Sequence, residues 1–188
     1  MYKKMKLADT IRVAPDLLGK DVYGNVNDAL KHKLEGRIDK EIGAIVAITR
    51  INEVGEGHIL VGDGAVYYDV VFEAIVFVPT IQEVIEGEVV ETVDFGAFVG
   101  IGAMDGLLHV SQVTDDFMSY DGKNGRLVSK NGGRSLSEGD KVRARIVAVS
   151  INEREPRESK IGLTMRQHSL GRFEWLEEAR KPTAEKEE

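Results

Sequence analysis

The 188-residue sequence predicts an α+β domain followed by an all-β barrel. Two observations carry this. In residues 1–80, long β-branched runs frame a single stretch with helical spacing, whereas residues 81–167 hold five short strand-like runs with glycine at their corners and no long helix. A third, compositional observation bounds the class. With 42% hydrophobic and 30% charged residues, and no run near the roughly 18 consecutive apolar residues a membrane helix requires, this is a water-soluble globular pattern. Zero cysteines exclude disulfides, thiolate nucleophiles and cysteine zinc sites, and fit a cytoplasmic location.

Residues 2–14 read as a long strand that Pro15 closes, and Pro15-Asp16 opens a short helical turn ending near Gly19. Val22, Val26, Ala29, Leu30 and Leu34 recur at helical spacing, with Gly36 as the stop. Ile42–Val54 and Ala65–Val78 are alternating strands. Between them Gly55, Gly57, Gly62 and Gly64 predict a hairpin with a wide tip, and Pro79 ends the half.

In the second half the runs are Gly87–Asp94, Phe95–Ile101, Gly106–Val110, Lys141–Ser150 and Lys160–Met165. Five short strands in this span predict a small closed barrel of OB-fold type. The long connection before Lys141 contains Arg126–Lys130, Asn131-Gly132 and Gly133–Leu136, a two-residue hairpin signal. Residues 168–188 predict a short helix over Leu170–Lys181 and an acidic tail.

Charge is segregated. Between Arg50 and Lys123 there is no lysine or arginine but there are 14 acidic residues, whereas Lys123–Arg166 carries 11 basic against 5 acidic. The formal net charge of −7 argues against coating nucleic acid by charge alone, so a polyanion would meet the basic segment. In the fourth run, Lys141, Arg143 and Arg145 share one face by period two, with Val142, Ala144, Ile146 and Ala148 on the core face. Lys160 and Arg166 extend this basic stripe from the fifth run.

Gly87-Glu88-Val89, Val93-Asp94-Phe95-Gly96-Ala97-Phe98-Val99, Asp105-Gly106-Leu107-Leu108-His109-Val110-Ser111-Gln112, Gly139-Asp140-Lys141-Val142 and Ile161-Gly162-Leu163-Thr164 occur in this order. Together they resemble the ribosomal-protein S1 type of RNA-binding domain over roughly residues 83–166. The resemblance implies that Phe95, Phe98 and His109 stand on an open barrel face against single-stranded RNA. Such a face needs aromatic platforms and nearby cations, because unpaired bases offer flat surfaces. Gly96-Ala97 would leave room for a base beside the rings. Two departures stand out: Ser150 where many members carry aspartate, and Lys160 where an arginine often opens the fifth strand. Weak, sequence-tolerant binding is expected.

Pro15-Asp16-Leu17-Leu18-Gly19-Lys20, Leu34-Glu35-Gly36-Arg37-Ile38, Gly55-Glu56-Gly57, Gly62-Asp63-Gly64, Val71-Phe72-Glu73 and Leu170-Gly171-Arg172-Phe173-Glu174-Trp175 extend the likeness to nearly the full chain. It resembles the E-prime family of archaeal DNA-directed RNA polymerase, the larger of the two stalk proteins. That resemblance implies a truncated RNP-like first domain whose tip (Gly55, Gly57, Gly62, Asp63, Gly64) docks on the RNA polymerase core. It also implies a small helical partner, the F-type stalk protein, and a barrel that contacts nascent single-stranded RNA. Strands of the first domain would leave an apolar patch for the partner.

Catalysis is not expected, nor is a cofactor or metal. His32, His58, His109 and His168 show no i, i+4 pairing, there is no Gly-x-Ser-x-Gly elbow, and Gly55-x-Gly57 leads into a strand rather than a phosphate-holding helix. Two other readings share the barrel: a free translation or RNA-processing factor, such as an exosome-cap component, and an interaction protein that no longer binds RNA.

Overall fold

A computed structural model describes residues 1–19, 21–131, 133–153 and 159–180. The chain forms two compact units, Met1–Val78 and Pro79–Glu188.

In the first unit the elements are β1 (Tyr2–Val13), a 3-10 turn (Pro15–Leu17), α1 (Val22–Leu34), β2 (Ile38–Asp39), β3 (Gly43–Val54), β4 (His58–Ile59) and β5 (Val66–Phe77). They make one antiparallel sheet in the order β1-β5-β3-β2, with β4 also paired to β5. Helix α1 begins where Asp21 accepts the Gly24 N–H at 3.0 Å and stops at Gly36, whose φ of +81° a residue with a Cβ adopts reluctantly. Its Val26, Leu30 and Leu34 pack against Ile11, Val13, Val70 and Phe72 of the sheet, forming the core of this unit.

Strand β3 does not alternate as its sequence predicts. Its buried side chains Ile45, Ile48 and Ile51 are spaced by three, because bulges fall between Ile45/Ala47, Ile48/Arg50 and Ile51/Glu53. Each bulge inserts one residue, and the first two re-aim Ile48 and Ile51 into the core. A bulge also removes a ladder partner. The Ile48 N–H donates instead to Glu35 Oε1 at 2.9 Å, which explains a glutamate directly after the helix.

The second unit contains β6 (Val84–Val93), β7 (Gly96–Gly100), β8 (Asp105–His109), a 3-10 turn (Val110–Gln112), β9 (Met118–Asp121), β10 (Arg126–Ser129), β11 (Ser135–Ser137), β12 (Lys141–Ser150), β13 (Lys160–Thr164), β14 (Gly171–Arg172) and α2 (Phe173–Arg180). Strands β13-β8-β7-β6-β12 close into a five-stranded barrel through the β12–β13 pairing. Val89, Ala97, Val99, Leu108, Val142, Ala144, Ile146, Ile161 and Leu163 are all buried. Ala148 is the exception to the expected core face: it is exposed, because a bulge between Ile146 and Ala148 interrupts the period of two.

The long connection carries an extra three-stranded sheet, β11-β10-β9. Its hairpin is looser than the Asn131-Gly132 signal predicts. The strands end at Ser129 and restart at Ser135, joined by the Ser129 N–H donating to Arg134 O at 2.9 Å, and Gly132 lies outside the described residues. Strand β9 is an addition to the sequence-based expectation. It pairs with β10 from Asp121↔Arg126 to Met118↔Ser129, its Met118 buried. Helix α2 lies within the expected Leu170–Lys181 span; Lys20 and the acidic tail, residues 181–188, lie outside the described residues.

Candidate nucleic-acid interface

Phe95 is 46% exposed and Phe98 is half-buried; their rings meet edge to face, with centroids 6.3 Å apart at 87°. On the neighbouring strand, His109 is exposed and lies opposite Gly96, while Leu107 lies opposite Phe98. The period of two then puts Phe98 and His109 on the outer face, with Ala97 and Leu108 inside. The imidazole is held in place: the Ser111 N–H donates to His109 Nδ1 at 3.2 Å, and Ser111 Oγ lies 2.9 Å from the same nitrogen. Nε2 is then the ring nitrogen left for a ligand.

The small residues between the rings have a different purpose from the one expected. Ala97 is fully buried in the barrel, so it leaves no room on the outer face. At Gly96 a Cβ would sit 2.2 Å from Leu108 O, so glycine is required by the close approach of β7 to β8.

The basic stripe does not adjoin the rings. In the ring of strands, β6 lies between β12 and β7, and it carries Glu86, Glu88 and Glu91, the last directly opposite Phe98. Arg143 gives both Nε (3.0 Å) and Nη2 (2.8 Å) to Glu86 Oε1 and lies over Phe173, 5.5 Å from the ring centroid. Arg145 reaches Gln82 Oε1 at 3.4 Å, and its buried Nε has no hydrogen-bond partner among the described residues. Lys141 and Lys160 are exposed, but Lys160 and Ser150 face each other at the end of β13 remote from His109. The single face of rings and cations that strand alternation implied is therefore split. Alternation assigns a side chain to inside or outside; it does not say which strands become neighbours.

Near the His109 end another cation is present. Strand β13 runs parallel to β8, so Arg166 follows Thr164 just beyond the level of His109. Thr164 Oγ1 donates to Gln112 Oε1 at 2.8 Å and the Met165 N–H to Gln112 O at 2.8 Å, tying this corner to the 3-10 turn after His109.

At the hairpin tip of the first unit, Asp63 is a fastening. Its carboxylate accepts from Arg12 Nε and Nη2, both at 2.9 Å, from Tyr67 Oη at 2.8 Å and from the Ala65 N–H at 3.1 Å. These bonds, Arg12 foremost, hold its carboxyl far below the usual carboxylate range. The glycines Gly55, Gly57, Gly62 and Gly64 frame the loop, but its exposed surface is apolar: Ile59, Leu60 and Val61 are 68%, 51% and 108% exposed. Sequence reading missed this triad, although three consecutive apolar residues inside a glycine-framed tip were a visible signal.

Residues 8–64 match the family described as the SHS2 domain found in the N terminus of Rpb7p/Rpc25p/MJ0397, and residues 78–160 match the S1 RNA binding domain. The chain is 40% identical over 183 residues to DNA-directed RNA polymerase subunit Rpo7 of Saccharolobus shibatae, a match covering 96% of this chain and 100% of the relative. It is 37% identical over 177 residues to Rpo7 of Sulfolobus acidocaldarius, covering 94% and 95% of the two chains. DNA-directed RNA polymerase II subunit rpb7 of Dictyostelium discoideum is 24% identical over 157 residues, 82% of this chain and 91% of the relative. Full-length identity at this level, with both domain matches in the same order as the two folded units, places the chain in the Rpo7 family, the non-catalytic accessory subunits of DNA-directed RNA polymerase.

Proposed function

We propose that this chain is the stalk subunit that guides nascent single-stranded RNA as it leaves the polymerase. It would work in the cytoplasm, attached to the polymerase core through the 55–64 tip and paired with a small helical stalk protein of the F type. One observation carries the RNA reading: on the S1 barrel of an Rpo7-family chain, Phe95, Phe98 and His109 gather on the outer face, with two rings and an imidazole nitrogen available.

Each group has a definite task. Phe95 and Phe98 offer two differently tilted platforms on which bases stack without regard to sequence. His109, oriented by Ser111, supplies a hydrogen-bonding edge beside them. Lys141 and Lys160 add positive potential at a distance, while Arg143 and Arg145 chiefly secure the barrel through Glu86 and Gln82. For the helical partner, the first unit leaves Tyr2 and Val46 exposed on its sheet, Leu17 in the 3-10 turn, and Val22 and Tyr23 at the start of α1.

Two measurements test this. The large catalytic chains should co-purify with the tagged protein under gentle conditions; a chain that never associates with them is not a stalk subunit. Single-stranded RNA affinity of Phe98→Ala should fall by about 1–3 kcal/mol, the cost of losing one stacked base. Unchanged affinity in a folded variant would remove these rings from the RNA site.

A further inference from the structure

The acidic rank on β6 poses a question that the ring face alone does not answer. A strand whose bases lie on Phe95 and Phe98 cannot run its phosphates over Glu86, Glu88 and Glu91 without like-charge repulsion. It must turn the other way, past His109, and there the molecule offers a continuous track.

Beyond Ser111 lies a hollow of about 270 Å³ whose lining includes Val110, Ser111, Asp115, Asp116, Phe117 and Arg166. Phe117 is 72% exposed, a large ring in open solvent that contributes little to any core. The hollow shares Thr114, Asp115 and Arg166 with a groove of about 550 Å³ that runs under α2, where Arg134, His168, Trp175 and Arg180 line the walls. Arg134 lies over the Trp175 ring at 5.3 Å, so the floor of the groove combines a cation with an aromatic face.

We propose that single-stranded RNA continues from the barrel face past Phe117 and Arg166 into the groove beneath α2, and that this groove supplies the phosphate contacts the β12 stripe does not. The inference rests on the RNA-guiding function proposed above and extends it to a second site. Arg166 is suited to the hand-over. Its Nε bonds Asp115 Oδ1 at 2.9 Å, but that carboxylate is 78% exposed, and an exposed pair of this kind is weak enough for a phosphate to compete. Phe117 supplies a further base platform at the bend. Arg180 and His168 then meet the backbone in the groove, with Arg134–Trp175 as its stacking end. Among the described residues, three arginines outside the β12 stripe, Arg134, Arg166 and Arg180, line the hollow and groove against two carboxylates, Asp115 and Asp116.

The chain has one tryptophan, so Trp175 fluorescence reports on this groove alone. The full chain is titrated with an end-labelled oligouridylate while label anisotropy and Trp175 emission are read together. Emission should change with the same midpoint as anisotropy, and Phe98→Ala should shift both midpoints to higher RNA concentration. Phe117→Ala should weaken binding about 5- to 150-fold, the range for one stacked base. Arg166→Ala with Arg180→Ala should flatten the dependence of log affinity on log salt by about 0.7 for each phosphate contact removed.

Normal anisotropy with silent Trp175, and an unaltered salt slope in the double variant, would overturn the groove while leaving the barrel face intact. Absence of any anisotropy change in the folded chain would overturn both. A polyglutamate peptide that perturbs Trp175 where RNA does not would show that the groove takes an acidic protein segment, and would equally end the proposal.

Discussion

Arg12 on β1 and Asp63 in the hairpin tip are joined by two parallel hydrogen bonds of 2.9 Å, with Tyr67 completing the clasp. The fork of the guanidinium fits the two carboxylate oxygens, so the pair fixes direction as well as distance. Because Arg12 and Tyr67 depress the Asp63 pKa in the folded chain, the carboxylate favours folding wherever it is ionised in the unfolded chain. The contribution is complete above the unfolded value of about 4 and is lost as pH falls towards the lower folded value. The urea midpoint of Asp63→Asn should therefore lie below that of the parent at neutral pH, and the gap should close in acid below about pH 4. A gap that stays constant through that window would assign the difference to something other than Asp63 ionisation.

Gly96→Ala tests the β7–β8 seam. The added methyl would sit 2.2 Å from Leu108 O, and backbone atoms on adjoining strands cannot swing aside as a flexible side chain would. Overpacking of this kind costs about 1–3 kcal/mol. A lowered urea midpoint should come with weakened RNA binding, since His109 lies directly opposite and would be displaced. A variant as stable as the parent would show that the strands separate more easily than their register implies.

Much of this architecture could be read from residue order because its signals are local. Pro15 ends β1, helical spacing from Val22 to Leu34 marks α1, and the apolar-polar rhythm of Val142–Ile146 marks the inner face of β12. What could not be read depends on partners far away in sequence. The bulges of β3 follow from pairing with β5, and the separation of the Arg143 stripe from Phe98 follows from β6 coming between them. Phe117 shows the same limit, since it is an aromatic beside two aspartates that resembles a solvated loop until β13 brings Arg166 to it. Asp63 is legible as part of the tip, but its partner Arg12 is 51 positions away.

Arg172 gives the Leu170–Trp175 segment a structural purpose. From β14 its Nη1 lies 3.2 Å from Asp140 Oδ2 and donates to Ser135 O at 3.1 Å, while Nη2 lies 2.6 Å from Glu174. One guanidinium thus joins the C-terminal segment, the β11 edge and the turn before β12. The Arg172 and Asp140 side chains are only 19% and 14% exposed, so this pair is shielded from solvent in a way the surface pairs are not. Arg172→Ala should lower stability by about 1.5–3 kcal/mol, the range for a hydrogen bond to a charged group. Arg172→Lys should recover only part of it, because an ammonium cannot serve three separated acceptors with the same planar geometry. The check is chemical denaturation of the three proteins. Full recovery by lysine would reduce the role of Arg172 to charge alone.

The tip contains a test that separates docking from folding. Ile59, Leu60 and Val61 project into solvent, so burial on another surface would stabilise a complex without any loss to the free chain. Replacing all three with serine should shift the unfolding free energy by no more than about 0.5 kcal/mol, as for surface positions away from special features. RNA affinity should also stay the same, because the proposed rings and groove belong to the other unit. Recovery of the polymerase core in a pull-down should fall sharply. Arg12→Ala offers the complementary variant: it keeps the apolar triad but leaves Asp63 held only by Tyr67 and the Ala65 N–H, so the loosened tip must be ordered during association and binding should weaken without vanishing. If the serine variant still brings down the core, the triad is not the docking element. If Arg12→Ala alone abolishes association, the orientation set by the Arg12–Asp63 clasp contributes more than the apolar contact.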